Sequence, residues 1–75
     1  MACYAQFFRQ GSDGSPVEAC GDRAIVRLDG RWGRFRMEQI AEDECRKRNY
    51  IAWQLIRGES LLRAVPVSPV VSLFM

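Results

Sequence analysis

The sequence contains no histidine. Its absence removes the commonest general base, the commonest metal ligand and the one side chain that ordinarily changes charge near neutrality. Cysteine is scarce: Cys3, Cys20 and Cys45 stand too far apart for a C-x-x-C metal or redox motif. A cysteine nucleophile would also lack its usual imidazole base. Gly11-Ser12-Asp13-Gly14 is too short for a phosphate loop, precedes no helical pattern and ends without a lysine. Long hydrophobic runs are missing as well. The apolar stretch from Val65 to Met75 contains Pro66 and Pro69 and falls far short of the roughly 20 residues that span a bilayer. These absences lead to an expectation of a non-enzymatic protein with no cofactor, no metal and no membrane segment.

The 75 residues correspond to one domain, 1–75. Apolar residues make up 48% and charged residues 27%, a globular balance that argues against disorder. A chain this short buries only about 60% of its unfolded surface, so its stability without a partner is expected to be roughly 5 kcal/mol or less. The net charge is only +2, because nine acids nearly cancel eleven bases. Nucleic-acid domains usually concentrate a larger excess on one face. Ten of the bases are arginine and one is Lys47. The N-terminus does not follow a signal-peptide pattern, since Gln6 interrupts the apolar stretch and Arg9 follows it. With three cysteines this points to reduced thiols in a cytoplasmic protein, buried as small hydrophobes, although a Cys3–Cys20 bridge stays open.

Ala2 to Gln10 reads as a strand, with Cys3, Ala5 and Phe7 on one parity. Residues 11–16 read as a loop and Val17 to Cys20 as a short strand. Arg23 to Leu28 reads as a strand with Ala24, Val26 and Leu28 on one face and Arg23, Ile25 and Arg27 on the other. Asp29-Gly30 could close a hairpin returning through Arg31 to Met37. Trp32 and Phe35 differ in parity, however, so a turn leading into a helix is preferred.

That helix, about Phe35 to Arg48, carries an apolar stripe of Met37, Ile40, Ala41 and Cys45. Glu38 near its start and Arg46-Lys47-Arg48 near its end suit the macrodipole. Glu42–Arg46, Asp43–Lys47 and Glu44–Arg48 form three acid-to-base pairs at i,i+4, each contributing about 0.3 kcal/mol. No clear N-cap exists, and Asn49 suits a left-handed C′ position. Glu38 and Glu42, one turn apart, read as surface residues in salt bridges. Tyr50 to Arg57 reads as a central strand with Ile51, Trp53 and Leu55 on one face and Tyr50, Ala52, Gln54 and Ile56 on the other. Leu61 to Val65 would be a last strand, ending at Pro66 or lying at an edge. The resulting α+β order is β-β-(β)-α-β-β: a small antiparallel or mixed sheet with one helix on one face. The opposite face would then expose Ile25, Arg27 and Tyr50 or Ile56. An uncovered apolar face suits a partner, a homodimer included.

The densest candidate contact surface is Arg31-Trp32-Gly33-Arg34-Phe35-Arg36. Guanidinium groups beside large aromatics stack, pair with carboxylates or phosphates, and fill pockets. The candidate partner-binding residues are Arg31, Trp32, Arg34, Arg36 and Arg27. A host protein or protein complex is the expected partner. The alternative is nucleic acid, with Arg31, Arg34 and Arg36 tracking phosphates while Trp32 stacks a base. The tail Val70 to Met75 could dock a neighbour, extend a sheet or pack on its own core.

In length and β-β-α-β layout the chain resembles the small accessory proteins of bacteriophages and other mobile elements, of which anti-CRISPR proteins are one class. That resemblance carries no motif residue with it. It implies a stoichiometric inhibitor that binds a host complex and blocks its nucleic-acid or partner site. The basic net charge departs from the acidic members that mimic DNA, which makes blocking of a protein surface the implied mode.

Overall fold

Ala2–Gln10 forms the first and longest strand, β1, in the computed structural model, which describes residues 2–73. Its alternation places Cys3, Ala5 and Phe7 in the main core, as the parity predicts. Pro16–Glu18 (β2) and Ile25–Leu28 (β3) both pair antiparallel with β1 along the same side, β2 with residues 8–10 and β3 with residues 3–6. They make one lane broken at residues 19–24. Ala52–Gly58 (β4) pairs antiparallel with the other side of β1 over seven residue pairs, from Ala2↔Gly58 to Phe8↔Ala52. Two two-residue segments, Val65–Pro66 (β5) and Val71–Ser72 (β6), complete a second broken lane on the far side of β4. The result is an open six-stranded sheet, antiparallel at every pairing, with β1 and β4 at its centre.

The 14-residue helix α1, Arg34–Lys47, packs on one face of this sheet. Met37, Ala41 and Cys45 are buried against it, and Ile40 packs at the margin of the same cluster. The predicted stripe is therefore the packed face. No side chain caps the helix start at Gly33, and the first turn holds no acid. The C-terminus follows the Schellman pattern: Asn49 adopts φ 63°, its N–H donates to the Arg46 carbonyl, and the Tyr50 N–H donates to the Cys45 carbonyl. Glu42–Arg46 and Glu44–Arg48 form the expected pairs, at 3.8 and 3.1 Å. Lys47 pairs with Glu44 at 3.6 Å rather than with Asp43.

The Schellman reversal also corrects an expectation. Tyr50 does not join the sheet face opposite the helix. It precedes β4, so strand parity does not apply to it, and its ring stacks on Phe7 with centroids 5.5 Å apart. Two other elements differ from expectation. Asp22–Ala24 is a 3-10 turn, so β3 begins only at Ile25. Leu61–Arg63 is likewise a 3-10 turn instead of the start of a strand. Gly58 lets that turn lie against the end of β4, because a Cβ there would come within 2.6 Å of Ala64 Cα and 2.7 Å of the Arg63 carbonyl oxygen.

The sheet face away from α1 is less open than expected. Its central residues Tyr4, Gln6 and Phe8 are no more than 9% exposed. Gln6 and Gln54 stand directly opposite each other in the β1–β4 register. The Gln6 side-chain amide donates to the carbonyls of Ala19 and Ala24, 3.2 and 3.4 Å away, which bracket the break in the first lane. The Gln54 amide donates to the Ser68 carbonyl at 3.0 Å, within the break of the second lane. Ser68 completes the repair, since its hydroxyl oxygen accepts the Leu55 N–H at 2.9 Å. Backbone groups left unpaired by each break are thus met by side chains, as burial requires. In the tail, Val71 and Leu73 pack on the protein's own core while Val70 stays exposed. Phe74 and Met75, the end of the predicted tail, lie outside the described residues.

Candidate functional site

Residues 29–36 join the end of β3 to the start of α1. Asp29 organises the bend. Its backbone carbonyl accepts the Trp32 N–H at 3.0 Å and its carboxylate accepts the Arg31 N–H at 2.9 Å. This is an Asx-type turn, for which aspartate is suited because its short acceptor reaches the backbone two residues on. The preferred turn-to-helix reading of Asp29-Gly30 is therefore the one adopted.

The same turn disperses the predicted arginine cluster. Arg31 grips Asp29 with two side-chain hydrogen bonds, Nε to Oδ1 at 3.1 Å and Nη2 to Oδ2 at 3.0 Å. These bonds hold the Asp29 carboxyl below its ordinary range and push the Arg31 guanidinium up. Arg34 donates Nε to Glu38 at 3.0 Å and Nη2 to the Val67 carbonyl at 3.1 Å. Arg36 lies over the Trp32 ring, 4.9 Å from its centroid, and Trp32 itself packs on the core. Arg27 lies on β3, opposite Tyr4 on the other face of the sheet, and makes no ion pair among the described residues. Four of the five sequence-predicted residues thus lie in the bend and the first turn of α1, while Arg27 lies on the sheet face away from the helix.

The side chain that stands out there is one outside the candidate set. Phe35 is 76% exposed in the first turn of α1, between two engaged arginines. The Arg34–Val67 bond brings the helix start beside the outer lane of the sheet. That lane and the turn before it expose Leu62, Val65 and Val67, with Leu62 at 98%. A strand reading of Leu61 to Val65 does not separate its exposed side chains from the core. The informative signal was the spacing: Phe35 falls outside the apolar stripe of Met37, Ile40, Ala41 and Cys45.

The thiols are not arranged for chemistry. All three are free. Burial pushes the Cys45 thiol up to about 11, and its Sγ donates to the Ala52 carbonyl at 3.4 Å. Cys3 Sγ receives the Arg57 Nε–H at 3.3 Å, and Cys20 alone is exposed. Among the described residues no three Cys, Asp or Glu side chains gather where they could hold a metal ion. No helix among them is long and apolar enough to cross a membrane. No protein-family model, curated protein or solved structure matches the chain.

Proposed function

We propose that this chain is a non-enzymatic protein-binding module whose contact surface is the start of α1 with the adjoining outer lane of the sheet. The observation that carries this reading is the exposure of Phe35 at a helix start that Arg34 ties to the Val67 carbonyl, with Leu62, Val65 and Val67 exposed along that lane and the turn before it. Several large hydrophobes left exposed on so small a domain favour a contact surface over solvation. The arginines around them supply the polar rim. Arg36 is already oriented over the Trp32 ring, so little of its side-chain entropy is lost when a partner arrives. An inhibitor or regulator of the phage type, occupying the nucleic-acid or partner site of a host complex in the host cytoplasm, is the biological form this reading takes.

Nucleic acid is the weaker candidate. Arg31 and Arg34 are neutralised by carboxylates, and the Trp32 face that a base would stack on is covered by Arg36. Backbone tracking needs uncompensated cations.

The test compares the native chain with Phe35→Ser and Leu62→Ser, two exposed positions where the substitution leaves the core intact. Affinity for the partner complex should fall in both variants, with unchanged circular dichroism. Retained affinity in both would refute the assignment. Salt-sensitive binding of a bare oligonucleotide, lost on combined replacement of Arg31, Arg34 and Arg36 by alanine, would favour nucleic acid instead.

A further inference from the structure

One side-chain polar atom among the described residues is buried without a partner: the indole Nε1–H of Trp53. Trp53 sits on β4 opposite Val71 and is 4% exposed. It forms the floor of a groove of about 310 Å³ between α1 and the sheet, whose other lining residues are Phe35, Glu38, Gln39 and Glu42. The groove therefore has two aromatic rings and two carboxylates one helical turn apart along its walls, with the unpartnered indole N–H of Trp53 buried at its base.

We infer that this groove receives a basic side chain, arginine or lysine, from an extended segment of the protein partner. Aromatic rings attract a cation through their negative faces and pack its methylene stem, and the carboxylates meet its head group. The Trp53 indole N–H is sealed in the free chain, so the segment's backbone carbonyl reaches it only as the ring yields on binding. Glu38 and Glu42 are available for exchange. Their present partners, Arg34 at 3.0 Å and Arg46 at 3.8 Å, are more than half exposed. Pairs of that kind hold weakly, so an incoming cation displaces them at small cost. Phe35 lines the groove and is itself 76% exposed, so a partner seated in the groove also covers it.

This inference rests on the protein-binding reading and names the chemistry of the partner at the same site. Its test uses the whole chain, followed by ¹⁵N NMR. The probes are acetyl-Gly-Arg-Gly-amide, its lysine counterpart and an isosteric norleucine control. The basic peptides should move the Trp53 indole N–H signal downfield together with the backbone signals of Glu38 and Glu42. The Trp32 indole serves as an internal reference and should stay in place. The norleucine peptide should produce none of these shifts. Combined Glu38→Gln and Glu42→Gln replacement, on solvent-facing positions that keep shape, should weaken the response by about tenfold or more. Equal shifts with norleucine, shifts that spare Trp53, or no response at peptide concentrations of tens of millimolar would overturn the inference. The two readings separate in the partner assay. Binding lost in Phe35→Ser and Leu62→Ser but kept in the double glutamine variant leaves a protein-binding module without a basic-segment groove. Binding kept in all variants removes both.

Discussion

Arg34 Nη2 donates to the Val67 carbonyl at 3.1 Å, a bond between the first residue of α1 and the outer lane of the sheet 33 residues later. It explains why a segment of adjacent arginines and aromatics does not become a cluster of free guanidinium groups. Each arginine is drawn to a different neighbour, and what reaches solvent between them is Phe35.

Arg34→Ala should loosen the outer lane. The guanidinium is half exposed, so the loss in global stability is small, about 0.5–1 kcal/mol. The local effect is larger. Amide exchange of Val67, whose N–H bonds the Leu55 carbonyl at 2.9 Å, should accelerate well before that of β1. Uniform acceleration across the sheet would count against a local role.

Gln6→Leu removes the donor that meets the Ala19 and Ala24 carbonyls beneath the break in the first lane. Leaving buried carbonyls unpaired costs about 1–3 kcal/mol. Urea denaturation should show that loss with an unchanged slope. A neutral result would mean that water replaces the amide.

Asn49→Gly should stabilise the protein by several tenths of a kcal/mol, because position 49 adopts φ 63° at the helix C′ and glycine reaches that region without a Cβ penalty. Asn49→Val should lose about 1 kcal/mol or more. Thermal melts of the pair, which bracket the parent if the cap matters, decide this.

In the folded protein one thiol, Cys20, should react rapidly with a disulfide reagent, and all three should react after unfolding. Cys45 adds a pH dependence. Its thiol stays protonated in the fold up to about 11, against an ordinary value of 9.0, because burial disfavours the thiolate. Between those values the unfolded chain releases a proton that the folded chain keeps. The contribution is therefore fully present below pH 9 and is lost as pH rises toward 11. Replacing Cys45 with alanine should flatten that part of the stability profile.

The Asp29 carboxyl should titrate below its ordinary 3.8, first because of the Arg31 side-chain hydrogen bonds and then because of the Arg31 backbone N–H. Its contribution to the turn is present above the ordinary value and is lost as pH falls through the lower folded value. Carbon-detected NMR reads this directly. Arg31→Ala removes the largest cause and should move the titration back toward 3.8, while the backbone N–H of residue 31 keeps it from returning fully.

The amino-acid order by itself determined β1, the packed face of α1, the left-handed Asn49 and the central place of β4. In each case the physics is local. The alternation of Cys3, Ala5 and Phe7 or the stripe of Met37, Ala41 and Cys45 already marks one face to bury, and Asn tolerates a positive φ wherever it falls. The α+β class followed from the order of those elements. Only the tertiary structure decided how the two outer lanes break and are repaired, because Gln6, Gln54 and Ser68 find acceptors and donors more than ten residues away. The candidate site divided the same way. Arg31, Trp32, Arg34 and Arg36 were legible as a group from composition alone. Their pairing with Asp29, Glu38, Val67 and each other depends on the bend between β3 and α1 and on the arrival of the outer lane. Trp53, Glu38 and Glu42 come together only when β4 passes under the helix, which no spacing along the chain encodes.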